Sequence, residues 1–243
     1  MNELLYLDTE CTGISEEDRL LQVAYKYKDE IYNELFKPPL PIKLPAMAVH
    51  HVTEKMVADK PAFIGSSIYD HLKAIAPTSI LVAHNAKYDL GMLAKEGIEF
   101  PRHICTYKLA KYLDEGQYEN HQMQYLRYFY GIEIEATAHD AFGDILVLEQ
   151  LFKILMTKVI EKDFVPNGSM ISSVIDRMVE ITKLPSLYTK FTFGKYDFKK
   201  CGLPISEVAR LDPGYLHWLL DQKKANPEGE EDWIYTLNYY LNK

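Results

Sequence analysis

Three short stretches of this chain carry five polar side chains whose chemistry makes sense together. They are Asp8 and Glu10 in LLYLDTECTGI, Asp89 in VAHNAKYDLGML, and His139 and Asp144 in AHDAFGDILVL. Each stretch lies beside an apolar run, so the four carboxylates could converge at one end of a sheet. Such a cluster repels itself strongly unless cations occupy it, which implies hard divalent metals such as Mg²⁺ or Mn²⁺. One histidine outside the carboxylate set is the natural base for an attacking water. Together these point to metal-assisted hydrolysis of a phosphodiester.

Taken singly, each stretch has a plainer reading. Asp8 and Glu10 are two apart on a strand and leave the same face, yet they could be exposed acids at a strand exit. Asn85 and Asp89 are four apart at a helix start, where Asn85 could simply cap the helix that presents Asp89. Asp144 could be a favourable acid near a helix N-terminus, and His139 a surface-loop histidine. Their order and context carry the argument, not any one of them.

The elements that must position these residues are legible from hydrophobic period. Residues 4–10 read as a buried strand ending in the turn Thr12-Gly13, and 19–27 with 30–37 as a hairpin closed by Pro38-Pro39. The first three strands then form an antiparallel meander. Residues 62–76, 87–96, 106–114, 120–130 and 140–161 have helical patterns, and 79–83 is a short buried strand. After Pro166-Asn167-Gly168 the register resets. Ile171, Val174, Ile175, Met178 and Val179 form one helical stripe, read as a connecting helix ending near Pro185. A hairpin and a helix begun at Pro213 follow, and the acidic PEGEED run reads as a solvated loop. The fold class is therefore α/β: a mixed sheet with antiparallel first three strands flanked by helices, plus a small α+β C-terminal module. The expected division is 1–165, a helical linker over 166–185, and 186–243.

Composition narrows the setting. An apolar fraction of 47% and a charged fraction of 26% are those of an ordinary globular protein. The start has no basic segment before an apolar one, and no stretch approaches the ~20 apolar residues of a membrane span, so the expectation is a cytoplasmic protein without membrane contact. Three scattered cysteines make neither a disulfide framework nor a zinc site. The net charge of −8 argues against broad nucleic-acid binding, but it is unevenly placed. Residues 1–182 hold 18 Lys and Arg against 27 Asp and Glu, whereas 190–224 hold seven against four.

At this point the sequence resembles the DEDDh exonuclease superfamily, which has a ribonuclease H-like fold and includes exonuclease X, ribonuclease T, oligoribonuclease and polymerase proofreading subunits. The family's D-T-E-T-T-G stands here as Asp8-Thr9-Glu10-Cys11-Thr12-Gly13, its H-N-x-x-F-D as His84-Asn85-Ala86-Lys87-Tyr88-Asp89, and its H-x-A-x-x-D as His139-Asp140-Ala141-Phe142-Gly143-Asp144. The resemblance implies two Mg²⁺ or Mn²⁺ ions held by Asp8, Glu10, Asp89 and Asp144, with Asp8 shared between them. It implies His139 as the base that takes the proton from water. It also implies that a 3′-terminal nucleotide meets the segment Thr9, Thr12, Gly13 and Ile14, with Ile14 wedged under the terminal base. Ala48–Thr53 resembles the family's I-H-G-I-T segment, with His51 in place of glycine, so His50 either approaches the nucleotide or is a structural histidine. Asn85 belongs to the same expected substrate set.

The tail, with Phe193-Gly194-Lys195-Tyr196 and Asp212-Pro213-Gly214-Tyr215-Leu216-His217-Trp218, resembles a module that follows the nuclease domain in exonuclease X-like proteins. Tyr215, Trp218 and Leu219 are expected in its small, aromatic-rich core, and Lys195, Lys199 and Lys200 could meet phosphates. Glu149-Gln150-Leu151-Phe152 has the look of a sliding-clamp peptide, but its apolar residues fall on the buried face of a long helix. The implied function is a 3′→5′ exonuclease, with DNA 3′ ends favoured over RNA. An exoribonuclease, a proofreading subunit and an idle nucleic-acid-binding scaffold are the alternatives. A polymerase or repair partner and a homodimer both stay open.

Overall fold

The computed structural model describes residues 3–114, 117–134, 141–163, 171–191, 193–197 and 202–242. The chain divides into two compact units, Met1–Thr182 and Lys183–Lys243. None of the described helices is long and apolar enough to cross a membrane.

The first unit is built on a five-stranded sheet of β1 (Leu4–Cys11), β2 (Leu20–Tyr27), β3 (Glu30–Leu35), β4 (Ile80–Ala83) and β5 (Arg102–Cys105), in the order β3-β2-β1-β4-β5. As expected from the alternation, β1 to β3 are antiparallel, while β4 and β5 run parallel to β1. Every residue of β4 is buried, whereas β3 is a largely exposed edge. Side chains alternate between two cores. Tyr6, Ile80, Val82 and Ile104 face α5 (Thr106–Leu113), α6 (Met123–Phe129), α7 (Ala141–Asp163) and α8 (Ile171–Lys183). Leu5, Leu7, Leu81 and Ala83 face α3 (Ser67–Ile75) and α4 (Lys87–Lys95). Two short helices, α1 (Leu44–His50) and α2 (Glu54–Val57), lie between β3 and α3 in sequence. Leu151 and Phe152 are buried in the first core, which removes the clamp-peptide reading.

The expected linker is corrected. Helix α8 packs Val174, Ile175, Met178, Val179 and Ile181 into the same core as Tyr6 and Phe152. The Thr182 hydroxyl accepts from the Cys105 main-chain N–H at 3.0 Å, and Arg177 donates to Asp163 at 2.5 Å. The boundary therefore falls after residue 182, not near 166. Five buried aliphatic side chains at about 1.5–3 kcal/mol each amount to roughly the whole net stability of a domain. A chain ending at residue 166 is accordingly expected to lose cooperative unfolding, while one ending at Lys183 keeps it. Thermal melts followed by circular dichroism make the comparison, and a cooperative melt of the shorter chain would refute the assignment.

The second unit holds α9 (Ile205–Leu211), α10 (Pro213–Ala225) and α11 (Glu231–Leu241). Its core is formed by Phe191, Ile205, Val208, Leu216, Leu219, Leu220, Trp233 and Leu237. Two expectations change here. Among the described residues the hairpin is reduced to a single bridge between Lys190 and Pro204. The PEGEED run is no simple loop, because Glu231 and Asp232 open α11, where acids suit the helix N-terminus. Asp232 also accepts from the Ser186 N–H at 2.7 Å. The core tryptophan is Trp233, stacked on Tyr188 at 4.6 Å, whereas Trp218 is 54% exposed on α10. Gly202 is required by close approach, since a Cβ there would sit 1.6 Å from the Phe191 carbonyl oxygen. Lys199 and Lys200 lie outside the described residues.

Candidate active site

Strand β1 delivers the first two carboxylates. Tyr6, Asp8 and Glu10 share one face by strand alternation, and Tyr6 meets Phe152 of α7 edge-on at 5.5 Å. Asp8 stands opposite Ala24 in the β1–β2 register. Ala24 packs against Ala141 and Ile145, so small residues on both sides let the first turn of α7 close on the sheet beside Asp8. Asp144 is buried in that turn. Asp8 and Asp144 thus lie on one side of the sheet, at the C-terminal end of β1.

Asp89 arrives from the other face. It lies in the first turn of α4, is buried, and accepts from the Thr9 hydroxyl at 2.7 Å. Burial pushes its carboxyl well above the usual range, and the Thr9 hydroxyl and nearby main-chain amides offset this only in part. Asp89 and Glu10 both help to raise the Cys11 thiol and the Tyr88 hydroxyl above their ordinary values. Burial pushes the Cys11 thiol up to about 12, so cysteine in place of the family threonine is an inert packing residue. Asn85 does not cap α4 as its side chain could. The capping position is Ala86, and Asn85 is exposed with φ 63, in the left-handed region that asparagine tolerates.

The turn after β1 is held by a residue that the motifs did not reveal. Asp18 is fully buried and accepts from the Thr12 hydroxyl at 2.8 Å, the Ser15 N–H at 2.7 Å and Lys43 Nζ at 2.7 Å. Lys95 of α4 adds donors to the Ser15 and Asp18 carbonyls at 2.9 and 3.2 Å. A Cβ on Gly13 would lie 2.6 Å from Asp18 Oδ2, so glycine is needed for this closeness. The result is a braced turn from which Ile14 projects, 88% exposed. Thr12 and Gly13 are buried within the brace, and the Gly13 carbonyl accepts from Tyr88 at 3.1 Å. In sequence, Asp18 closes the acidic run Glu16-Glu17-Asp18, which reads as solvated; only the Thr12 hydroxyl before it hints otherwise.

Burial alone would raise the Asp18 carboxyl, but Lys43, the Ser15 amide and the Thr12 hydroxyl hold it down at about 2. A depressed carboxylate adds stability above its ordinary value near 4, and this is lost as pH falls through about 2. Asp18→Asn is therefore expected to lower the melting temperature at neutral pH, with the gap to wild type closing towards pH 2. A gap that is constant with pH would show that the charge of Asp18 is not what braces the turn.

His50 is buried; its Nδ1 accepts from the Val52 N–H at 3.0 Å, and burial lowers its pKa. One ring nitrogen is thus engaged by the main chain. His51 caps α1 with φ 61, a conformation that explains why the family pattern carries glycine there. His84, pushed down to about 4 by burial, ties the end of β4 to Thr106 and to the His121 carbonyl, both at 2.9 Å. Asp144 accepts from Gln124 Nε2 at 2.7 Å, a partner that no motif pointed to. His139 lies outside the described residues.

The donor set is entirely carboxylate, which suits hard divalent cations rather than zinc-type ligation. Among the described residues no three His, Cys, Asp or Glu side chains are gathered tightly enough to enclose an ion. Asp89 and Asp144 each direct one oxygen to an uncharged donor instead. A buried carboxylate such as Asp89, raised by desolvation and faced by neutral donors, is what a cation would relieve, so the residues fit.

Known proteins place this arrangement. The family model described as Exonuclease matches residues 5–152, and that described as Exodeoxyribonuclease X-like C-terminal matches 191–224. Exodeoxyribonuclease 10 of Escherichia coli (strain K12) is 33% identical over 210 residues, covering 86% of this chain and 84% of that protein. DNA polymerase III subunit epsilon of Treponema pallidum is 29% identical over 159 residues, 60% of this chain and 72% of that one. The structure of exonuclease X in complex with 5′ overhanging duplex DNA matches with a TM-score of 0.56 and 27% identity, over 74% of this chain and 99% of that chain. Escherichia coli exonuclease I in complex with a dT13 oligonucleotide shares the fold, with a TM-score of 0.56 at 16% identity over 68% of this chain and 43% of that one. The fold is the ribonuclease H-like fold of exonucleases, whose family works with divalent metal ions. With its carboxylate-lined β1 and its matched tail, the chain belongs to the exonuclease family and carries an exodeoxyribonuclease X-like C-terminal domain.

Proposed function

We propose that this protein is a 3′→5′ exodeoxyribonuclease that releases nucleoside 5′-monophosphates. The observation that carries the reading is Asp8 and Asp144 on one side of β1 with Asp89 entering from α4, in a chain similar to an exodeoxyribonuclease over most of its length. Asp8, Glu10, Asp89 and Asp144 would hold two Mg²⁺ or Mn²⁺ ions. When bound, such ions lower the pKa of the attacking water and offset charge on the reacting phosphate. His139 accepts the water's proton. Ile14, projecting from a turn braced by Asp18, supports the terminal base, and exposed Asn85 lies at the entrance to the Asp89 helix.

A digestion series on labelled single-stranded DNA, duplex DNA and RNA tests this, with Mg²⁺ or Mn²⁺ and after chelation. The expected result is metal-dependent shortening of DNA from the 3′ end with mononucleotide products. Faster removal from RNA would transfer the enzyme to the exoribonucleases, and activity that survives chelation would overturn the metal assignment.

A further inference from the structure

Gln124 and Arg127 form a relay that ends on a carboxylate of the proposed active site. Both project from α6, three residues apart and therefore on neighbouring positions of one helical face. Gln124 Nε2 donates to Asp144 Oδ1 at 2.7 Å, while Arg127 Nη1 donates to Gln124 Oε1 at 3.3 Å. Arg127 is buried, and two further donations of its guanidinium reach the carbonyls of Ile132, at 3.4 Å, and Ile134.

The direction of the relay follows from donor chemistry. A guanidinium has only donors, so the group of Gln124 that faces it must be the amide oxygen. The amide nitrogen is then the only end left for Asp144, and the Gln124 amide cannot turn over without setting donor against donor. Burial makes that arrangement costly to break, because two donors facing each other away from water would leave a hydrogen bond unmade. Arg127 in turn is fixed by two main-chain carbonyls that no side-chain movement can remove. Asp144 thus has one oxygen engaged by a donor of fixed orientation, and its carboxylate plane is set from outside the motif.

We infer that Gln124 and Arg127 are positioning residues that orient the Asp144 carboxylate for cation binding. The inference rests on the proposed metal-dependent function. Gln124 touches neither substrate nor reacting atoms in this role and acts through Asp144. Outer hydrogen-bond partners of metal ligands typically contribute ~10–100-fold to metal affinity.

The test is Mn²⁺ binding to the full chain by titration calorimetry, without substrate, for wild type, Gln124→Leu, Arg127→Met, the double variant and Asp144→Ala. Melting temperatures are measured alongside. Gln124→Leu is expected to weaken Mn²⁺ binding by about 10-fold while remaining folded. The double variant should be no weaker than Gln124→Leu, because Arg127 acts only through Gln124. Should Arg127→Met fail to fold, Gln124→Leu alone still decides the matter. Mn²⁺ affinity within twofold of wild type in Gln124→Leu, alongside a clear loss in Asp144→Ala, would overturn the relay and leave the function standing. Unchanged affinity in Asp144→Ala would overturn both.

Discussion

Asp8→Ala is expected to abolish hydrolysis and to weaken Mn²⁺ binding in the same protein. Asp8 stands in the second half of the central strand, opposite Ala24 and beside the first turn of α7. In the proposed site its carboxylate would serve cations shared with both Glu10 and Asp144. The loss should exceed the ~10²–10³-fold that removal of a single electrostatic donor costs. Asp8→Asn keeps the shape and should fail almost as badly, since a neutral amide cannot balance dications. Turnover under saturating Mn²⁺, with Mn²⁺ affinity measured on the same samples, is the check. Near-normal turnover in either variant would remove Asp8 from the reaction.

His139→Ala should lower turnover by ~10²–10⁴-fold, the usual cost of losing a general base. Metal affinity and substrate affinity should stay close to wild type, which separates this variant from Asp8→Ala. The sign of the pH dependence follows from the base role. An imidazolium cannot accept a proton, so wild-type turnover should rise with pH as the histidine deprotonates. The variant should lack that rise. A full-rate alanine variant with an unchanged profile would assign proton acceptance to another group or to hydroxide.

Much of the site could be seen before the fold, because its residues sit in short local patterns. The strand holding Asp8 and Glu10 announces itself by an unbroken apolar run, and α7 by its long stripe ending in Leu151, Phe152 and Leu155. What escaped was defined by distant partners. Strand β5 has four residues and no periodicity of its own; it exists through parallel pairing of Arg102–Cys105 with Ile80–Ala83. Helix α8 shows an amphipathic stripe, but nothing local says whether that stripe covers the first unit or bridges two. Asp18 and Gln124 look like surface polar residues until Lys43 and Asp144 are brought to them. Local pattern reveals elements and motifs, whereas the supporting polar contacts are long-range.

The placement of the two tryptophans has a spectroscopic consequence. Both belong to the second unit, Trp233 in its core and Trp218 on the outer side of α10, while the unit that bears the carboxylates has none. Tryptophan emission from this protein is therefore a private signal of the C-terminal unit, with one ring shielded and one reachable by aqueous quenchers. Far-ultraviolet dichroism instead weighs the whole chain and is dominated by the larger unit. Followed together during denaturation, the two signals distinguish a protein that unfolds as one body from one whose tail lets go first.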